Sequence, residues 1–265
     1  MAARRVLITG AGSGLGRELA LRYAALGNRV AAVDLDADRA DETCKMLSGG
    51  GHLALVADVG SDSAMAALRA QVVGAWEGLD VLVNNAGIAS GGRITDVSTA
   101  EWQRNLNINL MGVVRGVREF VPMMEAQRSG RVINVASFAG LAGAPGLGAY
   151  GIAKAAVVAL SEGLRGELHD RGISVSVLCP SFFRTNLMQS CEGPGSEQIK
   201  HFVAKLMDRS PIDAAWVARF TIEESERGRF LLLPHKDTRV RWWLKRLMPE
   251  RYFRELLKYM AKVQS

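Results

Sequence analysis

Seven short apolar runs, rich in valine, isoleucine and leucine, alternate along this chain with stretches of helix length, and that alternation restricts the fold more than any other feature. The runs are Arg5–Thr9, Arg29–Asp34, His52–Ala57, Val81–Asn84, Arg131–Ala136, Ser174–Leu178 and Arg229–Leu233. Helical patterns fill the gaps, among them Leu15–Leu26, Ser63–Trp76, Ala100–Ala126 and Tyr150–Asp170. A strand that is apolar almost without interruption is buried on both faces, the condition of a parallel sheet covered by helices on either side. The expectation is therefore an α/β, doubly wound Rossmann fold with a seven-stranded parallel sheet. The 265 residues suit one such unit. It is taken as a single Rossmann-type domain over residues 1–234, followed by a basic amphipathic extension over 235–265.

Charge separates the two parts. Of 33 basic and 27 acidic side chains, nine and three fall between His235 and Ser265, so the body carries 24 of each and is neutral. The basicity belongs to a tail, and nucleic acid is not an expected partner. After Met1-Ala2-Ala3-Arg4-Arg5 the chain enters a strand directly, which does not read as a signal peptide. No apolar stretch reaches the ~18 residues of a membrane span. Cys44, Cys179 and Cys191 are widely spaced and form no C-x-x-C pair, and His52, His169, His201 and His235 are scattered. Neither a disulfide nor a metal site is expected, and a cytoplasmic location fits.

The first run leads into Thr9-Gly10-Ala11-Gly12-Ser13-Gly14-Leu15-Gly16, after which a helical pattern begins. Glycines between a strand and a helix allow a tight turn and let backbone approach a pyrophosphate at the helix N-terminus. The second run ends at Asp34, eighteen residues beyond Gly16, where an acid accepting hydrogen bonds from a ribose is expected. The same carboxylate repels a 2′-phosphate, which favours NAD. Arg17 and Arg39 lie close enough in sequence to keep NADP open.

The glycine spacing fits Thr-Gly-x-x-x-Gly-x-Gly, with Gly10, Gly14 and Gly16, better than G-x-G-x-x-G. Here the chain resembles the short-chain dehydrogenase/reductase family, and the likeness continues from about Arg5 to Pro234. Asp58-Val59 resembles the family's adenine-contacting pair. Asn84-Asn85-Ala86-Gly87 is similar to its N-N-A-G signature, which implies that Asn85, Ala86 and Gly87 line the cofactor cleft. Ser13 and Leu15 fall in the cofactor turn by the same likeness.

Tyr150-Gly151-Ile152-Ala153-Lys154 places a phenol and an ammonium four residues apart, on one face of a helix. A neighbouring cation favours the phenolate, and bringing a tyrosine from about 10 to ~7 takes roughly 4 kcal/mol. Ser137 ends the fifth run, at the strand edge where doubly wound sheets bind ligands. Asn107-Ile108-Asn109-Leu110-Met111-Gly112 resembles the family segment with a helix-breaking asparagine, Asn109 being the match and Asn107 one step out of register. The resemblance implies four roles. Tyr150 exchanges a proton with the substrate oxygen, Lys154 lowers its pKa and bonds the nicotinamide ribose, Ser137 orients the carbonyl, and Asn109 supports a proton-relay water. Hydride then passes between the nicotinamide and the substrate carbon. Pro180 and Thr185 match the segment that contacts the carboxamide, but Ser181 stands where the family usually has glycine, and serine tolerates positive φ poorly.

The expected activity is thus NAD(H)-dependent interconversion of an alcohol and a carbonyl. The alternatives are an NADP(H)-dependent carbonyl reductase and a cofactor-binding regulator without turnover. Specificity in this family lies after Thr185, here about 186–209. Phe182, Phe183, Leu187, Met188, Phe202, Leu206 and Met207 make that region apolar and suggest a hydrophobic substrate. Within it Ser190–Ser196, with Gly193, Pro194 and Gly195, reads as a mobile loop. The family commonly forms dimers and tetramers, which implies a homodimer or homotetramer through the helices of Ala100–Ala126 and Tyr150–Asp170. The tail Val240–Val263 mixes basic with large apolar residues. Such a segment can lie on an anionic membrane surface, pack on its own domain or a neighbouring subunit, or cover the active site. Its apolar residues are too many to leave wet, so docking on protein is the expectation.

Overall fold

A computed structural model describes residues 3–192 and 196–264. The loop residues Gly193, Pro194 and Gly195, and the side chain of Phe202, lie outside the described residues. The strands are β1 (Arg5–Thr9), β2 (Arg29–Asp34), β3 (Leu53–Val56), β4 (Val81–Asn84), β5 (Gly130–Val135), β6 (Ile173–Leu178) and β7 (Leu231–Leu232). They form one sheet in the order β3-β2-β1-β4-β5-β6-β7, with every neighbouring pair parallel. The doubly wound seven-stranded fold expected from the alternation is the one observed.

The helices are α1 (Gly14–Ala25), α2 (Ala37–Met46), α3 (Asp62–Trp76), α4 (Thr99–Leu106), α5 (Gly112–Gln127), α6 (Phe138–Ala142), α7 (Gly148–Glu167), α8 (Ser196–Asp208), α9 (Ala214–Glu226), α10 (Lys236–Leu247) and α11 (Pro249–Gln264). Successive strand residues point to opposite faces, so β1 sends Val6 and Ile8 one way and Leu7 the other. Val6 and Ile8 pack with Leu19 of α1 and Val217 of α9, while Leu7 packs with Leu68 of α3 and Phe120 of α5. Both faces are apolar because both are covered.

Two expectations change. The seventh run, Arg229–Leu233, shrinks to Leu231–Leu232, because an edge strand needs only one partner. It still receives bonds from Val177 N to Phe230 O at 2.7 Å and from Cys179 N to Leu232 O at 2.9 Å. The single helix expected over Ala100–Ala126 is interrupted by a π-helical segment at Asn107–Met111. Apolar periodicity does not report that change, because a π turn adds one residue without breaking the helix axis.

Candidate functional site

At the C-terminal ends of β1, β2, β4, β5 and β6 a cleft of about 1690 Å³ opens. That exceeds the ~300–1,000 Å³ of a site for one small ligand, and leaves room for a dinucleotide beside a substrate. Gly10, Ser13, Gly14, Leu15, Asp34, Asp58, Val59, Asn85, Ala86, Gly87, Ser137, Tyr150, Lys154, Pro180 and Thr185 all line it. Residues more than a hundred positions apart in sequence are thus brought to one cleft. Gly16 and Asn109 sit behind the lining.

At one end β1 runs into the glycine turn. Gly10 has φ +65°, and a Cβ there would stand 2.9 Å from the Cα of Ala86. Gly16 faces the opposite demand: a Cβ there would fall 2.1 Å from the carbonyl oxygen of Gly10, so only glycine lets α1 approach the turn. The turn is held from the far side by Asn85, whose Nδ2 donates to Thr9 O at 2.9 Å and to Gly10 O at 3.1 Å. Thr9 Oγ1 accepts from the backbone N–H groups of Asn85 and Ala86. The helix that follows, α1, begins without a side-chain cap from Ser13 and without an acidic residue in its first turn. Its orphan N–H groups and positive dipole end therefore suit an anion, which is the fit a dinucleotide pyrophosphate requires.

Asp34 closes this end. Its Oδ2 accepts from Gly12 N at 2.8 Å and its Oδ1 from Asp36 N at 3.1 Å. The two arginines near it in sequence behave differently. Arg17 turns away to Gly12 O, Thr43 and Glu42, whereas Arg39 lines the cleft and pairs with Asp36 at 3.3 Å. Asp58 accepts from Gly60 N at 2.7 Å, which fixes the turn after β3.

At the other end stand Ser137, Tyr150 and Lys154. Ser137 follows β5 and caps α6, accepting from Ala139 N at 3.1 Å. Tyr150 and Lys154 lie one helical turn apart on α7, with Lys154 Nζ 5.9 Å from the centre of the Tyr150 ring. Lys154 is 3% exposed and donates to Val135 O at 2.9 Å. Burial lowers its ammonium to about 8. Burial also raises the Tyr150 phenol above 10, opposed by a hydrogen bond with Ser137. The expected lowering of Tyr150 by Lys154 is not what is seen: burial sets the direction, the opposing influence comes from Ser137, and Lys154 Nζ directs its bond to a carbonyl. Cys179, beside Lys154, is pushed by burial up to about 12 and is no nucleophile at neutral pH.

Asn109 sits in the π segment with no exposed surface. Its Nδ2 donates to Ile88 O at 2.9 Å and to Asn105 Oδ1 at 3.0 Å, and its Oδ1 accepts from Ile88 N at 3.1 Å. A Cβ on Gly87 would meet Asn109 Oδ1 at 2.6 Å and Lys154 Nζ at 3.4 Å, so the asparagine and the lysine share the back of this wall. Asn107 instead donates to Gly60 O at 3.0 Å, away from it.

Thr185 returns to the glycine turn: a Cβ on Gly14 would lie 3.5 Å from the Thr185 Cβ. Ser181 does not adopt positive φ, so the substitution of glycine costs nothing there. His235 explains part of the local order. It is buried, accepts from Ser181 N at 3.2 Å through Nδ1, and meets Phe182 O at 3.1 Å through Nε2. Of the apolar residues expected to form the specificity region, Phe182, Phe183, Leu187, Met188, Leu206 and Met207 line the cleft.

The tail contributes residues that sequence reasoning did not place. It folds as two helices, and Arg241, Tyr252, Leu256, Tyr259 and Met260 line the same cleft. Tyr252 Oη donates to Ala142 O at 2.9 Å and Lys245 Nζ to Leu141 O at 2.5 Å, which ties the tail to α6. The spacing of Tyr252, Leu256 and Tyr259 marked one apolar helix face. No local signal said which surface it would cover.

A sequence model of the short chain dehydrogenase family matches residues 4–193. A (2S)-[(R)-hydroxy(phenyl)methyl]succinyl-CoA dehydrogenase subunit, BbsD, of Thauera aromatica is 38% identical over 184 residues, 69% of this chain and 74% of that one. The probable oxidoreductase EphD of Mycobacterium tuberculosis is 37% identical over 201 residues, 74% of this chain but 34% of that one, so the chain spans about a third of that longer relative. Among solved structures, a short chain dehydrogenase/reductase from Burkholderia phymatum in complex with NAD superposes with a TM-score of 0.87 at 30% identity, covering 92% of this chain and 93% of that one.

Proposed function

The chain belongs to the short-chain dehydrogenase/reductase family, oxidoreductases acting on CH–OH groups with NAD or NADP as acceptor, and from that premise we propose NAD(H)-dependent interconversion of a hydrophobic alcohol and its carbonyl, with Tyr150 as general acid/base. The observation that carries this reading is the meeting of Ser137, Tyr150 and Lys154 on the wall opposite a glycine turn closed by Asp34. When bound, a nicotinamide dinucleotide supplies the two-electron acceptor or donor.

The residues of the chain divide the remaining work. The turn from Gly10 to Leu15 and the uncapped start of α1 hold the pyrophosphate, Asp34 the adenosine ribose, and Asp58 and Val59 the adenine. Asn85, Ala86 and Gly87 form the adjoining wall, while Pro180 and Thr185 hold the carboxamide end. In oxidation Tyr150 accepts the alcohol proton at its phenolate oxygen, and in reduction the phenol returns a proton to the carbonyl oxygen. Ser137 donates to the same oxygen and orients it. Lys154 bonds the nicotinamide ribose, and its charge stabilises the phenolate, a contribution that grows as bound ligands exclude water. Asn109 supports a proton-relay water, and its side-chain bonds to Ile88 and Asn105 hold it beside Gly87 and Lys154.

NAD is favoured because the Asp34 carboxylate is held in place by two backbone N–H groups, where a 2′-phosphate would meet a fixed negative charge. Arg17 is already engaged with Glu42. One observation favours NADP, the second reading: Arg39 lines this end of the cleft. The apolar walls from Phe182, Leu187, Met188 and the tail favour a hydrophobic substrate, and the name of BbsD specifies an aryl-substituted secondary alcohol. A homodimer or homotetramer belongs to the same reading. Met111 and Ile152, exposed on the π segment and on α7, support it.

The test is NAD⁺ reduction across a panel of hydrophobic alcohols, with Tyr150→Phe alongside and NADP⁺ in parallel. Turnover with NAD⁺ that disappears in the phenylalanine variant is expected. Binding of NADH without turnover of any alcohol would favour a regulator, and preference for NADP⁺ would favour Arg39 over Asp34 as the selecting residue.

A further inference from the structure

Helices α10 and α11 carry two apolar faces, although docking on the body uses only one. The inner face holds Trp242, Tyr252 and Leu256 and rests on α6 and the cleft. On the outer side of α10, Val240, Trp243 and Leu247 recur at i, i+3 and i+7, a single stripe, and are 69%, 56% and 71% exposed. On α11, Phe253 and Leu257 at i and i+4 form a second stripe, and Met248 is exposed at the junction. Apolar side chains at this density rarely stay in water. Exposed basic side chains lie on the same helices: Arg246 stacks on Trp242 of α10, Lys258 pairs with Glu255 on α11, and Arg251 and Arg254 are exposed beside them, whereas Arg239 turns inward to Leu233 O and the Phe220 ring. Arg251 and Arg254 have no acidic partner among the described residues.

We propose that the outer face of α10 and α11 is a docking surface for an anionic phospholipid bilayer, with the stripes seated at the headgroup–acyl boundary and the flanking arginines and lysines on lipid phosphates. Charge selects this occupant. The segment from His235 onward holds nine basic and three acidic residues on a neutral body. A second copy of the chain seated face to face on the same surface would set cation against cation, because a two-fold interface pairs a patch with itself. A surface of lipid phosphates supplies the opposite sign. No helix among the described residues is long and apolar enough to cross a membrane, so the contact is peripheral. The docking surface does not depend on the activity proposed above. One consequence does rest on that reading: the inner faces of the same helices line the cleft, so a docked enzyme holds its cleft one helix layer from the phase in which a hydrophobic alcohol dissolves.

The experiment is co-sedimentation of the full chain with vesicles of phosphatidylcholine alone or enriched in phosphatidylglycerol, at low and high salt. Binding to the anionic vesicles only is expected, weakened by salt as surface charges are screened. Leu247→Glu with Phe253→Glu, neither of which lines the cleft, is expected to weaken it at least about tenfold. Arg251→Gln with Arg254→Gln, which leaves the apolar stripes intact, is expected to act in the same direction. Sedimentation velocity of wild type and variants accompanies both. No binding to anionic vesicles, or undiminished binding by both variants, overturns the proposal. A smaller assembly mass in the Leu247→Glu, Phe253→Glu protein also overturns it, in favour of a second copy on this face.

Discussion

Asp34 Oδ2 accepts a hydrogen bond from the backbone N–H of Gly12 at 2.8 Å, latching the end of β2 to the turn that follows β1. The carboxylate is thereby oriented before any ligand arrives, and preorganisation of this kind favours selectivity. Asp34→Ser removes the negative charge and keeps a short polar group. The efficiency with NAD⁺ is expected to fall about tenfold or more, roughly the 1.4 kcal/mol of one charged hydrogen bond. Use of NADP⁺ is expected to rise as Arg39 meets the 2′-phosphate unopposed. Parallel steady-state assays with the two cofactors check this, and an unchanged ratio would assign Asp34 to the turn alone.

Lys154 is kept at a cost in stability. Its ammonium is lowered by burial to about 8 from an ordinary 10.5. Below pH 8 both folded and unfolded chains hold the proton, and the folded state bears the full burden of a buried charge. Between pH 8 and 10.5 the unfolded chain binds more protons, so this group makes stability rise with pH. Lys154→Met is expected to abolish turnover yet stabilise the fold at neutral pH by about 1–3 kcal/mol, part of the gain being offset by the lost bond to Val135 O. Urea unfolding across pH 6 to 10 measures it. A variant less stable than wild type at pH 7, or a gain that grows above pH 8, would sink the argument.

The three bonds of Asn109 predict a structural penalty together with a catalytic one. Asn109→Ala leaves both backbone groups of Ile88 without their side-chain partner, and a loss of about 2–4 kcal/mol in unfolding free energy is expected. Because Gly87 and Lys154 adjoin Asn109, cofactor KM is expected to rise and kcat to fall together. Unchanged stability with lost kcat would instead point to direct participation in proton transfer.

The bond from Tyr252 Oη to Ala142 O, at 2.9 Å, crosses from the tail to α6. Tyr252→Phe is expected to cost about 1 kcal/mol and to raise KM for the alcohol, since α11 lines the substrate end. Affinity for NADH, assigned above to the glycine turn, Asp34, Lys154 and Thr185 and not to the tail, is expected to stay as it was. Fluorescence titration with NADH beside alcohol saturation curves separates the two effects, and an equal loss in both would mean that the tail supports the whole cleft.

Much of the site was legible because its residues sit at strand ends. Once the apolar runs define the sheet, Gly10, Asp34, Asn85, Ser137 and Pro180 fall at one edge by topology alone. Tyr150 and Lys154 fall on one helix face by periodicity, and the family resemblance marked that face as part of the site. Asn109 resisted such a reading, because its orientation follows from a π turn and from backbone groups of Ile88 more than twenty residues away. The protonation of Tyr150 resisted it too: spacing from Lys154 suggested a lowered pKa, whereas burial raises it. Desolvation depends on everything that surrounds a group, and no pair of residues carries that information.

What the chain determined by itself was local: which runs are strands, which turn must be glycine, which acid ends β2, and that the tail is basic and amphipathic. These follow from periodicity, sterics and charge, which act over a few residues. Tertiary structure decided what required distant surfaces to meet. It turned Arg17 from the cleft and left Arg39 on it, set His235 beneath Ser181, and split the tail into two helices that line the cleft. It also left the stripe of Val240, Trp243 and Leu247 facing outward. An amphipathic pattern specifies that a face will be buried. Only packing against the rest of the molecule specifies which face, and against what.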